Sequence, residues 1–247
     1  MRIVTVYPDL LGTYGDAGNG IILERRMSRR GLDVEHVGVD SHGTLPRADL
    51  YVLGGGEDGP QGLAAERLGN DATFQLAVAE GALVFAVCAG YQILTRSFVV
   101  MDGTSRPGLG LIPAETIRSE AARAVGELVV SVEGIAGIEG VVLSGFENHG
   151  SRTQLDANVT ALGKVMAGIG NGTEGCEGAV YERCIGTYLH GPALARNPEL
   201  ADWLLVQAGA GSLAPLDDSR SLDLREERIT WALSGKANGR EGSAHSR

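Results

Sequence analysis

The stretch Gly81-Ala-Leu-Val-Phe-Ala-Val-Cys88-Ala-Gly90-Tyr-Gln92-Ile-Leu94 decides the fold. An apolar run ends on a cysteine, small residues follow, and a helical pattern begins, which is the strand, sharp turn and helix of a nucleophile elbow. Such a turn strains the backbone at the nucleophile, so the positions two before and two after it must be small. Here they are Ala86 and Gly90. The helix that follows points its free N–H groups and positive end at the sulfur, which raises its reactivity. Cys88 is therefore the candidate nucleophile, and the competing reading is a buried core cysteine.

Outward from the elbow, β-branched apolar runs at 2–7, 34–39, 50–53 and 83–87 predict buried parallel strands. Helical patterns at 19–30, 62–80 and 91–98 lie between them. This alternation predicts an α/β, flavodoxin-like fold, a mostly parallel sheet with helices on both faces. Runs at 128–132, 141–145, 159–162, 178–181 and 184–188 are separated by glycine turns and predict an antiparallel extension or edge of that sheet. Asn197-Pro198 opens a helix reaching 207, and 225–233 repeats the helical pattern. The expected organisation is one domain over 1–207, a helical extension over 208–233, and a polar, aperiodic tail over 234–247 read as disordered.

The 247 residues suffice for one full core. A net charge of −10 argues against nucleic acid or an anionic membrane as the main partner. Three cysteines with no Cys-x-x-Cys pair exclude a disulfide framework and a four-cysteine zinc site, and fit a reducing cytoplasm. The first residues lack the plan of a signal peptide, and no run of about 18 apolar residues occurs, so no membrane insertion is expected.

A cysteine nucleophile that attacks an acyl carbon requires a base and donors for the oxyanion. His36 falls in a predicted strand, His42 in a turn and His245 in the tail, leaving His149 and His190. His190 follows an apolar run and precedes Gly191-Pro192, which puts it at a strand's C-terminal end, where open α/β sheets bind ligands. The Leu53-Gly-Gly-Gly-Glu57 turn would let backbone N–H groups approach a substrate. The run Gly12-Thr-Tyr-Gly15-Asp-Ala-Gly18-Asn-Gly20 opens a helix, but its spacing is not that of a dinucleotide fingerprint, and Asp16 would repel a phosphate.

Several segments join these in order: Tyr14-Gly-Asp-Ala-Gly-Asn19, Leu53-Gly-Gly-Gly-Glu-Asp58, Cys88-Ala-Gly-Tyr-Gln92, Gly108-Leu-Gly-Leu111, Arg123-Ala-Val-Gly126, Gly145-Phe-Glu-Asn-His149 and Gly186-Thr-Tyr-Leu-His-Gly191. The set, covering about residues 1–207, resembles the class I glutamine amidotransferases and, within them, the cobyric-acid-synthase-like branch. It is most similar there to the small glutaminase subunits that serve lipid II amidation. The resemblance implies that Cys88 attacks the side-chain amide of L-glutamine and that His190 is the general base. It implies an oxyanion hole from the N–H groups of Gly55 and Ala89, Arg123 on the substrate α-carboxylate, and Gln92 and Gly56 in the substrate pocket.

In ordinary class I members the base is followed by Pro-Glu, whose Glu orients the imidazole; here Gly191-Pro192 stands instead. The orienting carboxylate is therefore expected from a partner, with low activity for the chain alone. Glu147 and His149 are expected near the pocket without an assigned role. Ammonia amidates a carboxylate only after activation, and the chain has no Walker A motif, so a partner is expected to supply that step; the resemblance implies that this partner is Mur-ligase-like (MurT-like) and carries the ATP and Mg²⁺, with no cofactor in this chain. The alternatives are an amidotransferase of cobyrinate or cobyrate synthesis, a cysteine hydrolase with a similar elbow, and a non-catalytic module in which Cys88 is structural.

Overall fold

A computed structural model describes residues 1–100, 102–172 and 175–234. In chain order the elements are β1 (Arg2–Val6), α1 (Gly18–Ser28), β2 (Glu35–Val39), β3 (Leu50–Leu53), α2 (Asp58–Asn70), α3 (Ala72–Ala79), β4 (Leu83–Val87), α4 (Ala89–Leu94), β5 (Ser97–Val99), β6 (Ser105–Pro107) and β7 (Ala114–Arg118). There follow β8 (Ala124–Val132), β9 (Val142–His149), β10 (Ser151–Leu155), β11 (Gly163–Ala167), β12 (Cys176–Glu177), β13 (Ala179–Tyr181), β14 (Cys184–Thr187), α5 (Ala193–Arg196), α6 (Pro198–Leu205) and α7 (Ser219–Leu233).

The main sheet has the order β13-β14-β4-β3-β1-β2, parallel throughout except for the edge strand β13. Its central strands β3, β4 and β14 are buried throughout because both faces are covered, by α1, α5 and α6 in one group and α2, α3 and α4 in another. The edge strand β2 instead has exposed positions. The expected α/β class and mostly parallel sheet are present. The ends of β3, β4 and β14 lie side by side, which gathers the Gly54–Gly56 turn, Cys88 and His190 at one edge.

The second half differs from the expected sheet extension. Only β13 and β14 join the main sheet; the other strands form two four-stranded sheets, β10-β7-β5-β6 and β12-β11-β8-β9. Long antiparallel partners drive this, since β8 and β9 pair over eight residues from Ala124 to Ser131, while β9 meets the end of the parallel core through a single bridge, Phe146 to His190. The 159–162 run supplies one bridge, Thr160 to Val180, rather than a strand. The helix read over 62–80 is two helices, broken at Asp71, whose carboxylate accepts the Phe74 N–H at 2.9 Å and caps α3. The 91–98 pattern ends as helix at Leu94, because Ser97–Val99 pairs as β5.

The extension over 208–233 packs against the domain, with α7 starting six residues before the predicted 225 and resting on α5, β8 and β9. Arg26 on α1 ties it down by bidentate bonds to Asp202 (2.6 and 2.8 Å) and Asp218 (2.7 and 2.9 Å). Burial disfavours charge on Arg26, but the two carboxylates outweigh it and raise it above its ordinary range. Of the tail read as disordered, residues 235–247 lie outside the described residues, and Ser234 ends α7.

Candidate active site

β4 runs into Cys88, which sits at φ 51°, ψ −107°, and α4 begins at the next residue. This is the strained turn expected of an elbow. The Cys88 N–H donates to Thr187 O at 2.8 Å, which binds the elbow to the end of β14. Smallness at position 90 has a direct cause, because a Cβ there would lie 2.7 Å from Leu53 Cβ and 2.9 Å from Gly54 O. Cys88 opens onto a cleft whose lining includes Tyr14, Gly56, Gln92, Arg123, Asn148 and His190.

His190 is 1% exposed and lies just beyond β14. Its backbone is clamped to β9, with Phe146 N–H donating to His190 O (3.1 Å) and His190 N–H to Phe146 O (2.8 Å). Gly145 permits this approach, since a Cβ there would meet Leu189 Cβ at 2.8 Å. The ring's Nδ1 lies 2.7 Å from Oδ2 of the fully buried Asp16, so Nδ1 donates and Nε2 is left toward Cys88. Nε2 is buried and makes no complete hydrogen bond to the described residues. Burial opposes a charge on the imidazole, but the Asp16 hydrogen bond and then the Cys88 sulfur outweigh it and push His190 up to about 10.

The carboxylate expected from a partner is thus already in the chain, 174 positions from the histidine it holds. The glycine run 12–20 is the turn that delivers it. Tyr14 and Gly15 have φ of 59° and 79°, and Gly12 and Gly18 abut Pro8 and Pro192 where a Cβ would come within 2.3 Å and 2.8 Å. A second expectation is corrected at Gly55. Its N–H donates to Asp16 Oδ2 at 2.9 Å and is committed to fixing that carboxylate, so it does not face the cleft as an oxyanion donor. Gly56, the next residue, lines the cleft with Ala89.

Gln92 is buried, accepting from Gln61 Nε2 (2.8 Å) and donating to Tyr188 OH (3.2 Å), so it builds the cleft wall. Arg123 is at the exposed rim, in the same cleft as Cys88 and His190. Along β9, period-two alternation turns Glu147 and His149 inward and Asn148 outward. Glu147 accepts the N–H groups of Ile169 (2.8 Å) and Gly170 (2.9 Å), and His149 stacks on Tyr188 at 3.9 Å. Cys184 is buried, its thiol pushed up to about 12 by desolvation, and is no competitor to Cys88 as nucleophile.

Sequence reasoning missed Glu177. Fully buried, its Oε1 accepts from Thr187 Oγ1 (2.6 Å) and Tyr188 N–H (2.7 Å), locking the segment that leads to His190. Burial pushes this carboxyl up to about 7 against those two donors, helped by the nearby Glu147 charge. A folded-state value above the usual carboxylate range means that the folded chain holds the proton more tightly. This group therefore costs stability progressively as pH rises from about 4.5 to about 7, and fully above. Glu177→Gln is expected to remove about 3 kcal/mol of the stability difference between pH 5 and pH 8. Urea unfolding at both pH values measures it, and an unchanged difference would overturn the assignment.

Residues 2–198 match the CobB/CobQ-like glutamine amidotransferase domain. The chain is 34% identical over 245 residues to the Staphylococcus aureus (strain N315) lipid II isoglutaminyl synthase (glutamine-hydrolyzing) subunit GatD, covering 96% of this chain and 98% of that protein. It is 32% identical to the GatD subunit of Streptococcus pneumoniae (strain ATCC BAA-255 / R6), over 84% of this chain and 80% of that one. Among solved structures it is similar to a glutamine amidotransferase at TM-score 0.57 and 19% identity, over 83% of this chain and 98% of that one. That likeness is one of fold. The elbow, the glycine turn and the matched span together make the chain a member of the CobB/CobQ-like glutamine amidotransferase family.

Proposed function

We propose that the chain is a glutaminase subunit, which hydrolyses L-glutamine to glutamate and ammonia through a thioester on Cys88. The observation that carries this reading is the buried Asp16–His190 pair beside Cys88 at the elbow. The Cys88 sulfur, as thiolate, attacks the side-chain amide carbon, and the N–H groups of Ala89 and Gly56 receive the developing oxyanion. The C–N bond breaks as His190 gives its Nε2 proton to the departing nitrogen, which leaves as ammonia. Neutral His190 then takes a proton from water, whose oxygen attacks the thioester. Glutamic acid leaves and ionises to solvent, and the thiolate and imidazolium are restored. Arg123 on one rim, with Glu57 and Asp58 lining the same cleft, suits the carboxylate and ammonium of an amino acid.

Ammonia does not displace oxygen from an unactivated carboxylate. An ATP- and Mg²⁺-dependent partner is needed to use it, and the names of both GatD relatives describe a subunit of a synthase. The partner we infer is a Mur-ligase-like (MurT-like) protein, which activates the α-carboxyl of D-glutamate in the lipid II stem peptide and amidates it to D-isoglutamine. On this reading the chain serves peptidoglycan synthesis on the cytoplasmic side. The test is ammonia release from L-glutamine by the chain alone and with the co-expressed partner, alongside lipid II amidation read by mass. Release from the chain alone is expected, because the orienting carboxylate is internal. Folded protein with no release in either state would sink the glutaminase reading, and release without lipid II amidation would sink the partner.

A further inference from the structure

Arg123 stands at the exposed rim of the cleft, yet its guanidinium is held on one edge. Its Nε donates to Asn148 Oδ1 at 2.5 Å, and its Nη2 donates to the Asn148 carbonyl at 3.2 Å. Among the described residues it forms no ion pair. Both acceptors belong to one neutral residue, so the charge is oriented without being neutralised. An Arg side chain loses rotamer freedom when it is fixed, and holding it beforehand spares that cost when a ligand arrives.

Asn148 is itself fixed. Because its Oδ1 must face the Arg123 donor, its Nδ2 faces outward and donates to the Tyr14 hydroxyl. Tyr14, though partly exposed, sits at φ 59° and packs its ring edgewise on His190, with centroids 4.9 Å apart. The turn that carries Asp16 to His190 thereby also carries the anchor for Asn148. Nη1, on the other side of the guanidinium, makes no hydrogen bond or ion pair among the described residues, and it lies beside Gly150, which also lines the cleft and where a side chain would begin 4.0 Å from it.

We infer that Asn148 is a specificity-determining positioning residue, which, anchored by Tyr14, presents the free edge of Arg123 to the α-carboxylate of glutamine. This deepens the glutaminase reading and rests on it. A fold-stapling role is the competing explanation, but β8 and β9 are already paired through their backbones from Ala124 and His149 onward. The two roles differ in what they do to ligand choice. A positioning role acts only on a ligand that carries the carboxylate, whereas a staple acts on every ligand alike.

The experiment measures calorimetric binding of L-glutamine and of L-glutaminamide, whose α-carboxylate is replaced by a neutral amide, to the full chain carrying Cys88→Ala to prevent turnover. Asn148→Ala in that background is expected to weaken L-glutamine about tenfold, by a 1.4 kcal/mol conversion, and to leave L-glutaminamide unchanged. Asn148→Asp keeps an acceptor for Arg123 but cancels its charge, and is expected to weaken L-glutamine further. Tyr14→Phe, which removes only the hydroxyl, is expected to shift the same ratio in the same direction by a smaller factor. Equal weakening of both ligands, or no change in either, would overturn the inference while leaving the glutaminase reading intact. A folded parent that binds L-glutamine in no measurable amount would remove that reading and this inference with it.

Discussion

Cys88→Ala is expected to lower ammonia release from L-glutamine by at least about 10⁵-fold, the scale on which loss of a covalent nucleophile is felt when the rest of a catalytic unit is intact. The cysteine that could most easily be mistaken for a second nucleophile, Cys184, is buried with its thiol pushed up to about 12. Cys88→Ser is the more discriminating variant. A serine hydroxyl attacks only if a base removes its proton, and Asp16 keeps His190 on the charged side, where it has no capacity to accept one. Part of the present bias comes from the Cys88 sulfur and disappears with it, but the Asp16 hydrogen bond remains. The serine variant should therefore be nearly as inactive as alanine. Stopped or continuous ammonia assays with matched thermal melts decide this, and retention of more than about one hundredth of the activity in Cys88→Ala would refute a thioester route.

What the sequence made legible followed from local rules. Strand, elbow and helix around Cys88 were readable because the small residues at 86 and 90 are required by contacts that any such turn must make, as the approach of Gly90 to Leu53 demonstrates. The parallel half of the sheet was readable because strands buried on both faces are apolar throughout. The alternation of strands after Asp102 was visible too, but not which strands would pair, since antiparallel partners are chosen by long-range register.

Three features were hidden for one reason: each depends on residues far apart in sequence. Asp16 reads as an obstacle to phosphate in a glycine turn, and only the folded turn reveals that it points at His190. Gly55 reads as an oxyanion donor from its place in a glycine run, whereas its N–H is occupied by that same Asp16. Glu177 carries no local signal beyond an acidic residue in a weak strand, yet it holds two donors of the segment before His190.

Asp16→Asn is expected to lower the rate of ammonia release by between about 10² and 10⁴, without loss of fold. The geometry makes the substitution clean. Gly55 N–H and His190 Nδ1 both donate to Oδ2, so an amide oxygen at that position keeps both bonds, while the NH₂ takes the place of Oδ1, which is buried without a partner. What is lost is the negative charge. His190 is raised only because Asp16 and Cys88 together outweigh its burial, and neutralising Asp16 returns weight to desolvation, which favours the neutral ring. A neutral ring has no proton for the departing nitrogen. The alkaline limb of the rate profile, set in the parent by a histidine at about 10, should therefore move to lower pH. The folded chain should also lose the stability that a raised histidine contributes below about pH 6.5 and gives up as pH climbs toward its folded value. Asp16→Ala removes the bonds as well as the charge and should fall further, with a less ordered Gly54–Gly56 turn. A change smaller than tenfold in Asp16→Asn, with the alkaline limb unmoved, would mean that the carboxylate orienting His190 comes from outside the chain after all. The isolated protein would then be nearly silent until its partner bound.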